Sequence, residues 1–251
     1  MIARFFFVGV IAGIIATAQD PKPNDALLPP LEREQKSIVE DMIAKARNYD
    51  KLLPDFVCTQ MSHHNLDPQS RNQWRTLDTI SEELHFSRGV AEYTVLAENG
   101  KKPGDPSKRP ENLVSIDEFS RMIHYIFDPK SEARFAWTKW DSVRGHRTHM
   151  FTFAVAKEGT TFQVMKPKPF SSGLTGFIWI DADTNLIVRL LAAASDIPKT
   201  SSHQAESYDF GYEFTKVGDK VYLLPLQGDI RARDGKTQHW NEVEFKDYRK
   251  P

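Results

Sequence analysis

One cysteine, Cys58, stands in 251 residues, so no intramolecular disulfide can form and a disulfide-stapled scaffold is excluded. It lies in "DFVCTQM", which reads as a strand with Phe56 and Cys58 on one face, so the thiol is expected to be buried and inert. Charge of one sign is missing too. The 33 Lys and Arg against 34 Asp and Glu leave a net charge of −1, which gives nucleic acid nothing to hold. Beyond the N-terminus no apolar run approaches about 18 residues, so no transmembrane helix is expected in the rest of the chain.

The motifs of covalent and phosphate chemistry are absent. The chain has no GxSxG, SxxK, GxxxxGK[ST] or HExxH. A non-enzymatic protein without a cofactor is therefore expected, with an unmarked hydrolase as a third reading. His63 and His64 are neighbours in "SHHNLDPQSRN", which reads as a polar turn. His146 and His149 are three apart, which on a strand puts them on opposite faces, so no metal site is expected. "DADTN" (181–185) imitates a calcium loop, but Leu186 and Ala192 stand where that loop needs Gly and Glu, so it reads as a hairpin turn. Glu82 and Glu83 are adjacent on a strand and point apart.

What is present begins with a secretory signal. One positive charge at Arg4 precedes the apolar run "FFFVGVIAGII" (5–15), and Ala16-Thr17-Ala18 forms a small-x-small site, so cleavage is expected after Ala18. Residues 19–30 hold four prolines and read as an extended leader. Residues 31–251 are expected to form one domain in an exported, soluble protein, with no internal repeat and no composition break.

Two segments have helical periodicity. One is 31–54, stopped at Pro54. The other starts at the capping box "SIDE" (115–118) and carries Ile116, Phe119, Ile123, Ile126 and Phe127 along one stripe. The basic, Pro-rich "KKPGDPSKRP" (101–110) reads as a loop. Elsewhere the chain reads as consecutive hairpins: 75–86 with 90–100, 133–143 with 146–156, a hairpin within 171–194, and 228–248 turning at Asp234-Gly235. A segment at 160–165 adds a short strand. About nine to eleven strands in sequence predict an antiparallel meander rather than βαβ units. A sheet of that width curls, and its concave face is expected to be covered by the two long helices.

"SYDFGYEFTKVGDKVYLLP" (207–225) places Tyr208, Phe210, Tyr212 and Phe214 at every second position, so an unbroken strand presents all four rings on one face. Two readings are open. The rings fill a core, each contributing about 1.5–3 kcal/mol by burial; or they line a cavity, where tyrosine hydroxyls suit a partly wet wall. Phe177 and Trp179 point one way along their strand, and Ile178 and Ile180 the other.

"GFIWIDADTNLIVRLL", a polar gap and "YDFGYEFTKVGDKVYLLP" resemble the C-terminal half of the LolA/LppX/LolB-like lipoprotein-carrier superfamily over about residues 171–251. The closing "VEFKDYRKP" is similar to that of exported bacterial proteins. The chain departs from the pattern at loop 101–110 and in the strand with His146 and His149. The resemblance implies a mainly β (α+β) fold, an incomplete barrel around helices with an apolar cavity for acyl chains. It also implies a lipid or lipidated protein as partner and a periplasmic or secreted location. The expected interior set is Phe151, Phe153, Trp179, Tyr208, Phe210, Tyr212 and Phe214, with Phe119, Ile123 and Phe127 from the covering helix. The alternative is an exported protein-interaction module with a filled core.

Overall fold

A computed structural model describes residues 28–103, 115–164 and 169–251. The expected signal peptide (1–18), most of the leader and most of loop 101–110 lie outside the described residues. Three helices, α1 (Glu32–Ala46), α2 (Tyr49–Leu52) and α3 (Asp117–Phe127), accompany the strands. The first three strands are β1 (Phe56–Asp67), β2 (Arg75–Ser87) and β3 (Val90–Glu98). After α3 come β4 (Arg134–Val143), β5 (His146–Val155), β6 (Gln163–Val164) and β7 (Phe170–Ser171). The last five are β8 (Leu174–Asp181), β9 (Ile187–Ala194), β10 (His203–Val217), β11 (Lys220–Asp234) and β12 (Thr237–Arg249).

Ten strands form one curved antiparallel sheet in the order β3-β2-β1-β12-β11-β10-β9-β8-β5-β4. It does not close into a barrel, since β3 and β4 are its two edges. β6 and β7 form a separate two-stranded ribbon. The order has a consequence for α3. The chain leaves the sheet at one edge, β3, and re-enters at the other, β4, so the connection between them must cross a face of the sheet. The α3 helix lies on that crossing, and its apolar stripe makes the concave face the one it covers.

Local chemistry shifts several sequence-level boundaries. The first helical segment splits into α1 and α2 around Arg47 and Asn48. β1 runs on through "SHHNLD", expected as a turn, because it pairs with β2 on one side and β12 on the other. Its polar side chains find partners there: Asn65 donates to Glu242 at 2.7 Å and accepts from Thr76 at 2.8 Å, and His63 pairs with Thr79 at 3.0 Å. Of 160–165, Gln163 and Val164 form the strand among the described residues. The capping box at Ser115 does not form. Ile116 is the N-cap, the backbone N–H of Glu118 donates to the Ser115 carbonyl, and the N–H of Ile116 donates to Tyr93 Oη at 3.0 Å. At 181–185 the turn forms as expected: Asp181 Oδ1 accepts from the N–H groups of Asp183 and Thr184 and from the Thr184 hydroxyl.

Cys58 is fully buried, and burial pushes its thiol up to about 12. His146 faces Asp181 at 3.3 Å, whereas His149 packs its ring on Trp140, so the two histidines have separate partners.

Candidate functional site

The concave face is the site that the sequence analysis points to, and eight of the ten expected residues meet there. Phe151 and Phe153 on β5, and Tyr208, Phe210 and Tyr212 on β10, face Phe119, Ile123 and Phe127 of α3 in one buried cluster. At its centre Phe119 stacks on Phe210, with ring centroids 4.3 Å apart. Phe119 also meets Tyr212 and Phe245 edge-on, at 5.7 and 5.4 Å. Gly228 on β11 makes the stack possible. A Cβ there would stand 2.8 Å from Phe210 Cδ1 and 2.9 Å from Phe119 Cζ, so any larger residue must displace rings that have no free space.

Trp179 and Phe214 are corrections. Trp179 lies on the opposite, convex face with Val143, Met150 and Val188, and Phe214 packs against that second cluster. For Trp179 the reason is plain alternation: Ile178 and Ile180 take the helix side, so Trp179 cannot. The indole is fixed by a hydrogen bond from Nε1 to Asp141 at 3.0 Å and by the Arg189 guanidinium 4.7 Å above its ring. Arg189 in turn makes a bidentate pair with Asp209, at 2.9 and 2.6 Å. For Phe214 the regular pattern fails. The alternation holds from Tyr208 through Tyr212 and breaks beyond it, and the ring ends 5.3 Å from His146.

Contributors to the concave cluster outside the expected set include Met42 of α1, Tyr49 of α2, Leu224 of β11 and Phe245 of β12. Val243 and Phe245 alternate in "VEF", which is a usable signal. Tyr248 reaches the same side only because Asp247 takes a positive φ of 58° and resets the alternation.

Three hydroxyls in this region are spent on protein groups, whereas that of Tyr49 is buried without a hydrogen-bond partner among the described residues. Tyr212 donates to the Phe119 carbonyl at 3.3 Å, Tyr248 to the Pro225 carbonyl at 2.6 Å, and Tyr208 to Glu206. Little volume is left. An apolar notch of about 20 Å3, room for about one water, lies between Met42, Tyr49, Leu52, Ile187 and Leu223. A more polar hollow of about 110 Å3 lies where Arg47, Phe127 and Ser131 meet. Ligand pockets for small molecules run to about 300–1,000 Å3, so the concavity as it stands is filled by α3.

The helices are tied to each other and to the sheet rim by a few polar contacts. Arg47 Nε donates to the Phe127 carbonyl at 2.7 Å, and His124 Nε2 meets Asp50 at 2.5 Å. Lys45 Nζ donates to the Thr184 carbonyl at 2.6 Å, and Asn185 to Asp41 at 2.9 Å.

Beside α3 sits a group of acids. Glu118 of α3 is paired with Arg121 at 3.0 Å, and Glu206 of β10 faces His203 at 3.1 Å. Burial raises both carboxyls above their ordinary values, and the Asp117 and Glu206 charges raise Glu118 further against the opposing Arg121. A raised acid binds more protons folded than unfolded, so its contribution is fully present below the ordinary carboxyl value. It is lost as pH rises through the folded value. Urea denaturation across pH 4.5–8 is therefore expected to show stability falling with pH, and a Glu118→Gln/Glu206→Gln double variant to flatten that slope. An unchanged slope in the variant would mean other groups set it.

No protein-family model matches the chain, and no curated protein does. Among solved structures it is similar to a DUF1329 family protein from Desulfovibrio piger, with 13% identity and a TM-score of 0.39. That likeness covers 84% of this chain and 92% of the other. It is also similar to a domain of Vibrio parahaemolyticus named for outer membrane lipoprotein sorting, with 12% identity and a TM-score of 0.41. This second likeness covers 85% of this chain and 90% of that one.

Proposed function

We propose that this protein binds an apolar ligand, the acyl chain of a lipid or of a lipidated protein, on its concave face, with α3 as a cover that the ligand displaces. The observation behind this reading is that an apolar concavity is closed by helices, α3 crossing it with α1 and α2 beside it, rather than by a second sheet. The face α3 presents is apolar throughout (Phe119, Met122, Ile123, Ile126, Phe127), so a hydrocarbon chain can replace it like for like. A ten-carbon stretch contributes about 8 kcal/mol on burial, against which the ordering of the ligand and the release of α3 are set. Export after cleavage at Ala18, and binding without catalysis, belong to the same proposal.

The small residual volume favours a second reading, an exported interaction module whose core is complete without a ligand. Native mass spectrometry of freshly purified protein separates the two when combined with hydrogen exchange. The carrier reading expects an adduct in the lipid mass range. It also expects α3 amides that exchange faster than those of β10 and that change on addition of oleate. A clean mass, with α3 exchanging only at the rate of global unfolding, leaves the filled module.

A further inference from the structure

Two acids lie on the two sides of the contact that seats α3. Glu118 is in the first turn of the helix, next to Phe119, whose ring stacks on Phe210 of β10 at 4.3 Å. Glu206 stands before Phe210 on the same strand. It accepts the hydroxyl of Tyr208, whose ring centroid is 5.9 Å from that of Phe210. The two side chains keep only 26% and 15% of full exposure, and the two charges act on each other across the contact.

The basic groups around them do not link helix to sheet. Arg121 meets Glu118 at 3.0 Å from the same helix. His203, 3% exposed, sits between Glu206 at 3.1 Å and Asp234 of β11 at 2.9 Å, with the Phe170 ring of β7 beside it. Asp117, Tyr125 and Tyr208 complete the titratable groups around the two acids among the described residues.

Protonation decides whether this arrangement holds. Neutral carboxyls are buried at little cost, and a protonated His203 offsets Asp234. Ionised, Glu118 and Glu206 repel each other where little water screens them, and a neutral His203 no longer offsets the carboxylates on either side of it. The repulsion falls on the first turn of α3. The last turn is held separately, by Arg47 donating to the Phe127 carbonyl at 2.7 Å. His124 meets Asp50 of α2 at 2.5 Å, and loss of its proton weakens the seat of α3 in the same sense.

We propose that Glu118, Glu206 and His203 form a pH-sensitive catch on α3, which holds the helix to β10 while they are protonated and frees its first turn as they ionise. The catch presupposes that α3 is a cover, as proposed above, and supplies what opens it. Because burial raises both carboxyls, release comes as pH rises above the ordinary carboxyl range, and acid seats the helix.

The test uses the full chain, with hydrogen exchange expressed as protection factors so that the intrinsic pH dependence of exchange drops out. Between pH 5 and pH 8 the protection of residues 117–127 relative to β10 is expected to fall at least about tenfold. That is the factor for one group whose value differs by one pH unit between the seated and released helix. Glu206→Gln is expected to remove most of the fall, and His124→Gln to keep it. Equal relative protection at both pH values overturns the proposal, as does a fall that survives Glu206→Gln or disappears in His124→Gln. So does loss of protection in α3 and β10 together, which would make the pH effect global. Uptake of a neutral apolar dye is measured separately at the two pH values. A looser α3 without uptake at either pH keeps the catch and removes the carrier reading. Equal uptake at both, with unchanged protection, does the reverse.

Discussion

Replacing Phe119 with alanine lowers the unfolding free energy by about 3–5 kcal/mol, the range for removing a fully buried aromatic ring. Phe119 is 0% exposed and touches Phe210, Tyr212 and Phe245 in a space with no slack, so the ring leaves a void that its neighbours cannot collapse into. The void lies where the proposed ligand goes. Phe119→Ala is therefore expected to lose stability and at the same time to take up more of an apolar probe, with the probe restoring part of the loss by binding the folded state. Urea denaturation with and without saturating fatty acid measures both. A loss below about 1 kcal/mol would mean that α3 is not seated on β10. A full loss with no rescue by the probe would favour the filled module.

Trp179→Ala costs a similar amount, about 3–5 kcal/mol, for a different reason, and leaves probe uptake unchanged. Its ring is 6% exposed but lies on the convex face, where it holds together Val143, Met150 and Val188 and supports the Arg189–Asp209 pair. Its loss also leaves Asp141 without the indole N–H, which together with Ser142 N–H and Lys139 holds that carboxyl below its ordinary value. The destabilisation should appear in hydrogen exchange as faster opening of β8 and β9, with α3 following only as the whole domain unfolds. Altered uptake in Trp179→Ala at temperatures where it stays folded would place this ring in the concavity after all. The two substitutions together tell a cover from a scaffold, because they remove comparable apolar area from opposite faces of one sheet.

These contrasts show what could be read from the residues. Ile178 and Ile180 lie inside and Phe177 with Trp179 outside, as period-two alternation demands; the error was to assign Trp179 to the interior for its bulk. Phe214 could not have been placed, because the alternation that holds through Tyr212 breaks beyond it with no signature in "FGYEF". Nor could the length of β1 be judged from "SHHNLD", whose polarity is satisfied by Thr76, Thr79 and Glu242 on its two neighbours. Most of the α3 stripe was legible, Met122 excepted, since helical spacing is a local property.

Periodicity alone determined the class of fold here: hairpins in succession, two amphipathic helical segments and a surplus of rings at alternate positions. Alternation and helical spacing are set by backbone geometry and survive any tertiary arrangement. Only the folded chain decided that β3 and β4 lie at opposite edges, that their connection carries α3 across the concave face, and that Phe119 fills the space a ligand would need. Those facts depend on which distant strands pair, and pairing is chosen by the packing of the whole sheet rather than by any one segment.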